Sequence, residues 1–174
     1  MAVKAKSLKS KPESFVNADF ANRVLEGIDF SCKDLSGANF SNCTLKNCNF
    51  VNAHIEGANF QGAYIENCNF FSANLIMCNF VNVTFIQCWL DSVDFEKSLL
   101  ILATIINCTC KGTSFRKADM EKIKLIKSDF ISDSFFCVNM VLTVNQNAEI
   151  MTVVKRMDAA ITQRVRSLRG KKRT

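Results

Sequence analysis

Residues 35–50 read LSGANFSNCTLKNCNF, and the spacing inside them decides the fold. Leu35, Phe40, Leu45 and Phe50 recur every five residues. Small residues (Ala38, Cys43, Cys48) stand two places before a centre, and Asn39 and Asn49 stand one place before. Extended outward in the same register, the series runs from Phe15 to Met140 without an insertion, 26 positions that are all apolar. The whole chain is 48% hydrophobic, so chance gives on the order of 10⁻⁸ for one register and the period is built in. A period of five fits neither a 3.6-residue helix nor a two-residue strand alternation. It needs a backbone that turns a corner every five residues and sends one large and one small side chain inward each time.

The segments SGANF, EGANF, KNCNF and ENCNF, together with the run above, resemble the A(D/N)LXX signature of pentapeptide-repeat proteins over roughly residues 13–145. The resemblance implies an all-β solenoid, a right-handed quadrilateral β-helix with four pentapeptides to a coil. In such a coil the centre and small residues point inward and the other three outward, so positions twenty apart stack. Phe20, Phe40, Phe60, Phe80, Leu100, Met120 and Met140 then form one inner column, and Phe30, Phe50, Phe70, Leu90, Cys110 and Phe130 the opposite one. Leu25, Leu45, Ile65, Phe85, Ile105 and Leu125 make a third. About six coils at a strand spacing of about 4.8 Å give a rod roughly 30 Å long, whose ends need caps.

Charge divides the 174-residue chain. Residues 1–12 carry four lysines and no acid, and are expected to be a flexible basic tail. The solenoid is expected over 13–147. Its first part, 13–96, holds 3 basic and 10 acidic residues, whereas 97–149 holds 7 basic and 5 acidic. Residues 150–174 carry 8 basic and 1 acidic residue. Neither a membrane span nor a secretory leader is evident, because no apolar core follows the N-terminal lysines. Nine cysteines, an odd number with no CxxC pair, point to a reduced, cytoplasmic setting rather than a disulfide framework.

From residue 148 the pattern changes. Ile150, Val154, Met157, Ile161, Val165 and Leu168 fall at steps of three and four, which predicts an amphipathic C-terminal helix over 148–168 with a basic outer face, followed by a basic tail, 169–174. Such a helix would cap the last coil or, as C-terminal segments do in some relatives, form a homodimer.

Chemistry-bearing residues are few. Cys48, Cys68, Cys88 and Cys108, twenty apart, form an inward ladder and read as compact packing residues rather than a disulfide or metal site. Cys32 and Cys137 lie two places after centres and are expected to face outward as the reactive thiols. His54, the one histidine, precedes a centre and should reach solvent. No nucleophile–base pair, phosphate loop, HExxH or GxSxG accompanies it, so neither an enzyme nor a cofactor is expected. Outward positions of the later coils carry a candidate interaction patch: Ile86, Trp89, Leu99, Ile101, Leu102, Ile106 and Ile126. Lys111, Arg116, Lys117, Lys122, Lys124 and Lys127 make a candidate basic patch beside it.

Three functional readings follow. The first is a binding scaffold that docks a protein partner. The second, implied by family members that mimic duplex DNA, is binding of a type II topoisomerase, DNA gyrase or topoisomerase IV, which the acidic first part suits. The third is nucleic-acid or ribonucleoprotein binding through the basic ends; a secreted bacterial effector is compatible with the same repeats.

Overall fold

In this computed structural model, residues 2–4, 14–130 and 138–139 are described. Seven three-residue strands make one parallel sheet in sequence order: β1 (Ala2–Lys4), β2 (Val24–Glu26), β3 (Thr44–Lys46), β4 (Tyr64–Glu66), β5 (Thr84–Ile86), β6 (Thr104–Ile106) and β7 (Lys124–Ile126). From β2 onward the register advances by twenty residues per strand, as in Leu25↔Leu45↔Ile65. The other three sides of each coil are joined by single bridges, also twenty apart. They run Asp29↔Asn49↔Asn69↔Trp89 on the second face, Asp34↔His54↔Asn74↔Asp94 on the third and Asp19↔Asn39↔Asn59↔Asn79 on the fourth. The fold is therefore a parallel, four-sided β-solenoid. Coil one spans residues 21–40 and holds β2, coil six begins at 121 and holds β7, and the strand side is the first face.

The pentapeptide accounts for its own five backbone N–H groups. In Asn39–Cys43 the Asn39 N–H donates to Ala18 O in the coil before, and the Phe40 and Asn42 N–H groups donate to Asn59 O and Gln61 O in the coil after. The Cys43 N–H closes the corner on Phe40 O (3.1 Å). The remaining donor, the Ser41 N–H, meets the Asn39 side-chain Oδ1 at 3.1 Å. An Asp or Asn before the centre thus supplies the one acceptor that the main chain lacks, an Asx turn repeated around the molecule. Asp19, Asp29, Asp34, Asn49, Asn59, Asn69, Asn74, Asn79, Asp94 and Asp119 serve the same way. The strand face needs no such residue, since its ladder is continuous, and Val24, Thr44, Tyr64, Thr84 and Thr104 stand there instead.

Each corner also needs a left-handed residue. Every fifth residue from Asn17 to Lys127, two places after each centre, has φ between 49° and 70°. Of these 23 positions eight are Asn and five Gly, the residue types that tolerate this region.

Inside, the centres form the expected columns. Phe40 lies between Phe20 and Phe60 in near-parallel stacks at 4.9 and 4.7 Å, and Phe50 between Phe30 and Phe70 at 5.0 and 4.5 Å. The columns meet edge to face, as at Phe40–Phe50 (6.1 Å). The stacking distances equal the rise between coils, so the ladder that holds the chain also sets the ring spacing.

Three expectations fare differently. Ala2–Lys4, inside the stretch expected to be a free tail, pair as β1 with Val24–Glu26, adding a strand ahead of coil one. Residues 21–120 make five full coils, and Asn139, bridged to Asp119, stands one turn further on; of the about six coils expected, the last is described only in part. The expected helix over 148–168, its stripe (Ile150, Val154, Met157, Ile161, Val165, Leu168), the centre Met140 and Cys137 lie outside the described residues.

Candidate interaction surface

The cysteine ladder is inward, as its spacing implies, but it does more than fill space. At the corner after the strand face no backbone turn bond forms. There the Cys48 N–H meets Cys68 Sγ, and the Cys88 N–H meets Cys108 Sγ, each at 3.4 Å, while the Cys108 N–H reaches Ser128 Oγ at 3.1 Å. The Cys48, Cys68, Cys88 and Cys108 thiols donate in turn to Lys46, Glu66, Ile86 and Ile106 carbonyls at 3.3 Å. Sulfur is thus the acceptor for a buried main-chain donor. The hydrogen bond with Cys48 and burial push the Cys68 thiol up, Cys108 and burial do the same to Cys88, and burial pushes Cys78 up to about 12. These are neutral, shielded thiols. Cys32 is exposed at a corner, as expected. His54 is exposed on the third face. Among the described residues no cluster of three or more His, Cys, Asp or Glu could hold a metal, and no helix is long and apolar enough to cross a membrane.

The outward apolar residues fall into two sets on either side of the strand face. Ile86, Ile106 and Ile126 continue, along the corner to the second face, the column that carries Glu26, Lys46 and Glu66 in earlier coils. In those coils the column is charged and self-paired, with Lys46 Nζ 2.9 Å from Glu66 and 5.9 Å from the Tyr64 ring. On the opposite edge lie Ile101 and Leu102, with Leu99 beside them on the fourth face. Leu99 and Leu102 are 42% and 46% exposed. Thr84 and Thr104 stand between the two edges.

Trp89 lies apart, on the second face, 45% exposed. It walls an open groove of about 700 Å³ that follows the corner past Glu66, Asn67, Gln87 and Asn107. The sequence reading did not single out Met77, which is exposed at the corner between third and fourth faces. Its position two places after the centre Leu75 would have placed it there.

The six basic residues do not share a face. Lys111 is on the corner between second and third faces, Arg116 and Lys117 on the next corner, Lys122 on the one after, Lys124 in β7 and Lys127 on the corner beyond. They ring coils five and six. Arg116 is held by Glu96 at 2.7 Å, which also keeps the Glu96 carboxyl below its ordinary range; Lys111 lies 3.8 Å from Asp129 and Lys122 3.5 Å from Glu121. Lys117, Lys124 and Lys127 make no ion pair with another described residue. Lys124 and Lys127 border Ile126, so charge and apolar surface meet at the end of the strand face.

Residues 34–70 match the family model for pentapeptide repeats in eight copies. The coil of four five-residue sides with inward centres, which the matched residues share, continues through the described coils on either side of them. Among solved structures it is similar to the pentapeptide repeat protein Rfr23 of the cyanobacterium Cyanothece 51142, at 13% identity over 79% of this chain and 96% of that one (TM-score 0.38). It is also similar to QnrB1, a plasmid-mediated fluoroquinolone resistance protein, at 16% identity over 83% and 84% of the two chains (TM-score 0.32). A pentapeptide repeat protein from the Arabidopsis thaliana thylakoid lumen matches at 22% over 72% and 77% (TM-score 0.26). No curated protein matches the sequence.

Proposed function

We propose that this chain is a non-enzymatic scaffold that docks a protein partner on the flank of coils four to six. One observation carries the reading: outward columns that are polar in coils one to three turn apolar there. Glu26, Lys46 and Glu66 give way to Ile86, Ile106 and Ile126, and the fourth-face column Asn39, Asn59, Asn79 carries Leu99 in coil four before it returns to Asp119. A solenoid gains nothing from apolar residues outside its coil, whereas an interface does. A reducing compartment belongs to the same proposal, since the sulfurs of the ladder are engaged with main-chain donors and acceptors that a disulfide would release.

The test is site-specific photo-crosslinking in the native cell from Thr104, between the two apolar edges, with Asn74 on the third face as control. A protein adduct from Thr104 and not from Asn74 is the expected result. Absence of any protein adduct, with no self-association by sedimentation, sinks the scaffold reading.

A further inference from the structure

We propose that the strand face of coils five and six, between the Ile106–Ile126 edge and the Leu99–Leu102 edge, receives an acidic protein segment bearing large apolar side chains. This rests on the scaffold reading and adds the chemistry of the partner. Two neighbouring residues depart from the residue types that most of the solenoid uses at their positions. Leu102 occupies a corner at φ 60°, where thirteen of 23 residues are Asn or Gly, and it is exposed, so no core contact offsets the strain. Leu99 replaces an Asx residue, so the Ile101 N–H loses the side-chain acceptor that Asn79 gives Val81 one coil earlier at 3.1 Å. Both departures weaken the coil locally and leave leucine in the open on the same corner. Local rules are broken where something other than folding is selected.

Charge fixes the sign of the occupant. Lys124 and Lys127 flank Ile126 with no described counter-ion, at the end of the same face. The chain's own termini are themselves basic. Residues 150–174 carry eight basic residues and one acidic, and residues 1–12 carry four lysines and no acid. Carboxylates on the docking segment would meet the two lysines, and its apolar side chains the isoleucine and leucine edges. The boundary is marked on the strand face itself, because Lys46 and Glu66 neutralise each other in coils two and three.

The experiment selects a random peptide library on the full-length protein, then measures enriched peptides by fluorescence anisotropy. Enrichment of Asp and Glu together with Leu, Ile or Phe is expected, with affinity that falls as salt rises. Leu102→Asn and Ile106→Thr, both compatible with their backbone positions, are each expected to weaken binding about tenfold without lowering the urea midpoint. Lys124→Glu combined with Lys127→Glu should turn the selected composition toward Lys and Arg. Enrichment of basic peptides by the native chain, no compositional preference, or binding that survives all these variants overturns the proposal. So does a dimer in sedimentation that Leu102→Asn disperses, which would make the face a contact between copies of this chain. A partner crosslinked from Thr104 through a basic or uncharged segment leaves the scaffold reading standing and removes this one.

Discussion

Replacing Phe50 with alanine tests the packing argument at its centre. Phe50 is fully buried, parallel to Phe70 within 3° at 4.5 Å and to Phe30 at 5.0 Å, with Phe40 edge-on at 6.1 Å. Phe→Ala in a core costs about 3–5 kcal/mol, and the figure depends on how far the site collapses. Collapse is blocked here. The Phe50 N–H is tied to Asn69 O at 2.6 Å and the Asn49 N–H to Ile28 O at 2.9 Å, so the coils on either side cannot close on the void. The cost should therefore lie at the upper end, about 4–5 kcal/mol. Phe50→Leu, which keeps most of the volume, should cost about 1.5 kcal/mol or less. A cycle with Phe70→Leu should return a coupling of about 0.5–1.5 kcal/mol for the parallel pair. Urea unfolding followed by far-UV circular dichroism gives the stability. The fluorescence of Trp89, the only tryptophan, reports coil four separately. Coincident transitions with an unchanged m-value show one cooperative unit. A Phe50→Ala cost below about 1.5 kcal/mol with m unchanged would refute the stacked, incompressible column.

Three further outcomes follow from the corners and the thiols. Asn59→Ala removes the acceptor of the Gln61 N–H (3.0 Å) and should cost about 1 kcal/mol in the same urea assay, a small loss because water can reach the orphaned donor. In a Cys137→Ser background, a thiol reagent should modify Cys32 alone among the described cysteines of the folded chain, and the other seven only on unfolding; fast native labelling of Cys68 or Cys88 would contradict the buried ladder. Burial lifts Cys78 from an ordinary 9.0 to about 12, and Cys43 moves in the same direction. The unfolded chain then loses these protons first as pH rises. Stability should hold up to about pH 9 and decline between 9 and 12, and a urea midpoint that rises across that interval would reverse the sign.

The inner columns were legible because the period from Phe15 to Met140 is unbroken and each step of twenty returns to the same side. The Asp and Asn before the centres were visible as an enrichment, but their reason lay in an i-to-i+2 side-chain bond that spacing alone does not express. The left-handed corner series was missed although its signal was present, with Asn or Gly two places after the centre at Asn42, Asn47, Asn52, Gly57 and Gly62. The ring of lysines shows where linear reading misleads. In a solenoid, residues five apart lie on different faces and residues twenty apart are neighbours. A cluster such as Arg116, Lys117, Lys122 and Lys127 is therefore dispersed around the coil, whereas Ile86, Ile106 and Ile126 form an edge.

That geometry also says where a function can be written on such a chain. In most pentapeptides off the strand face the centre and the small residue are fixed by the core, the residue before the centre by the orphan N–H, and the second corner residue by its positive φ. The first corner residue is the least constrained of the five. Variation confined to that position, as at Ser41, Gln61 and Val81, carries little information. A departure at a constrained position weakens the coil and needs another cause. Trp89 and Leu99 depart at Asx positions, Met77 and Leu102 at corners. Asp91, one coil earlier, repairs the similar loss at Thr109 by accepting the Lys111 N–H at 2.7 Å. No such side-chain acceptor meets the Ile101 N–H among the described residues. Leu99 and Leu102 place two large apolar departures on one corner, beside the isoleucine edge and two lysines without a described counter-ion, and that coincidence of exposed apolar surface and charge is what a partner surface needs.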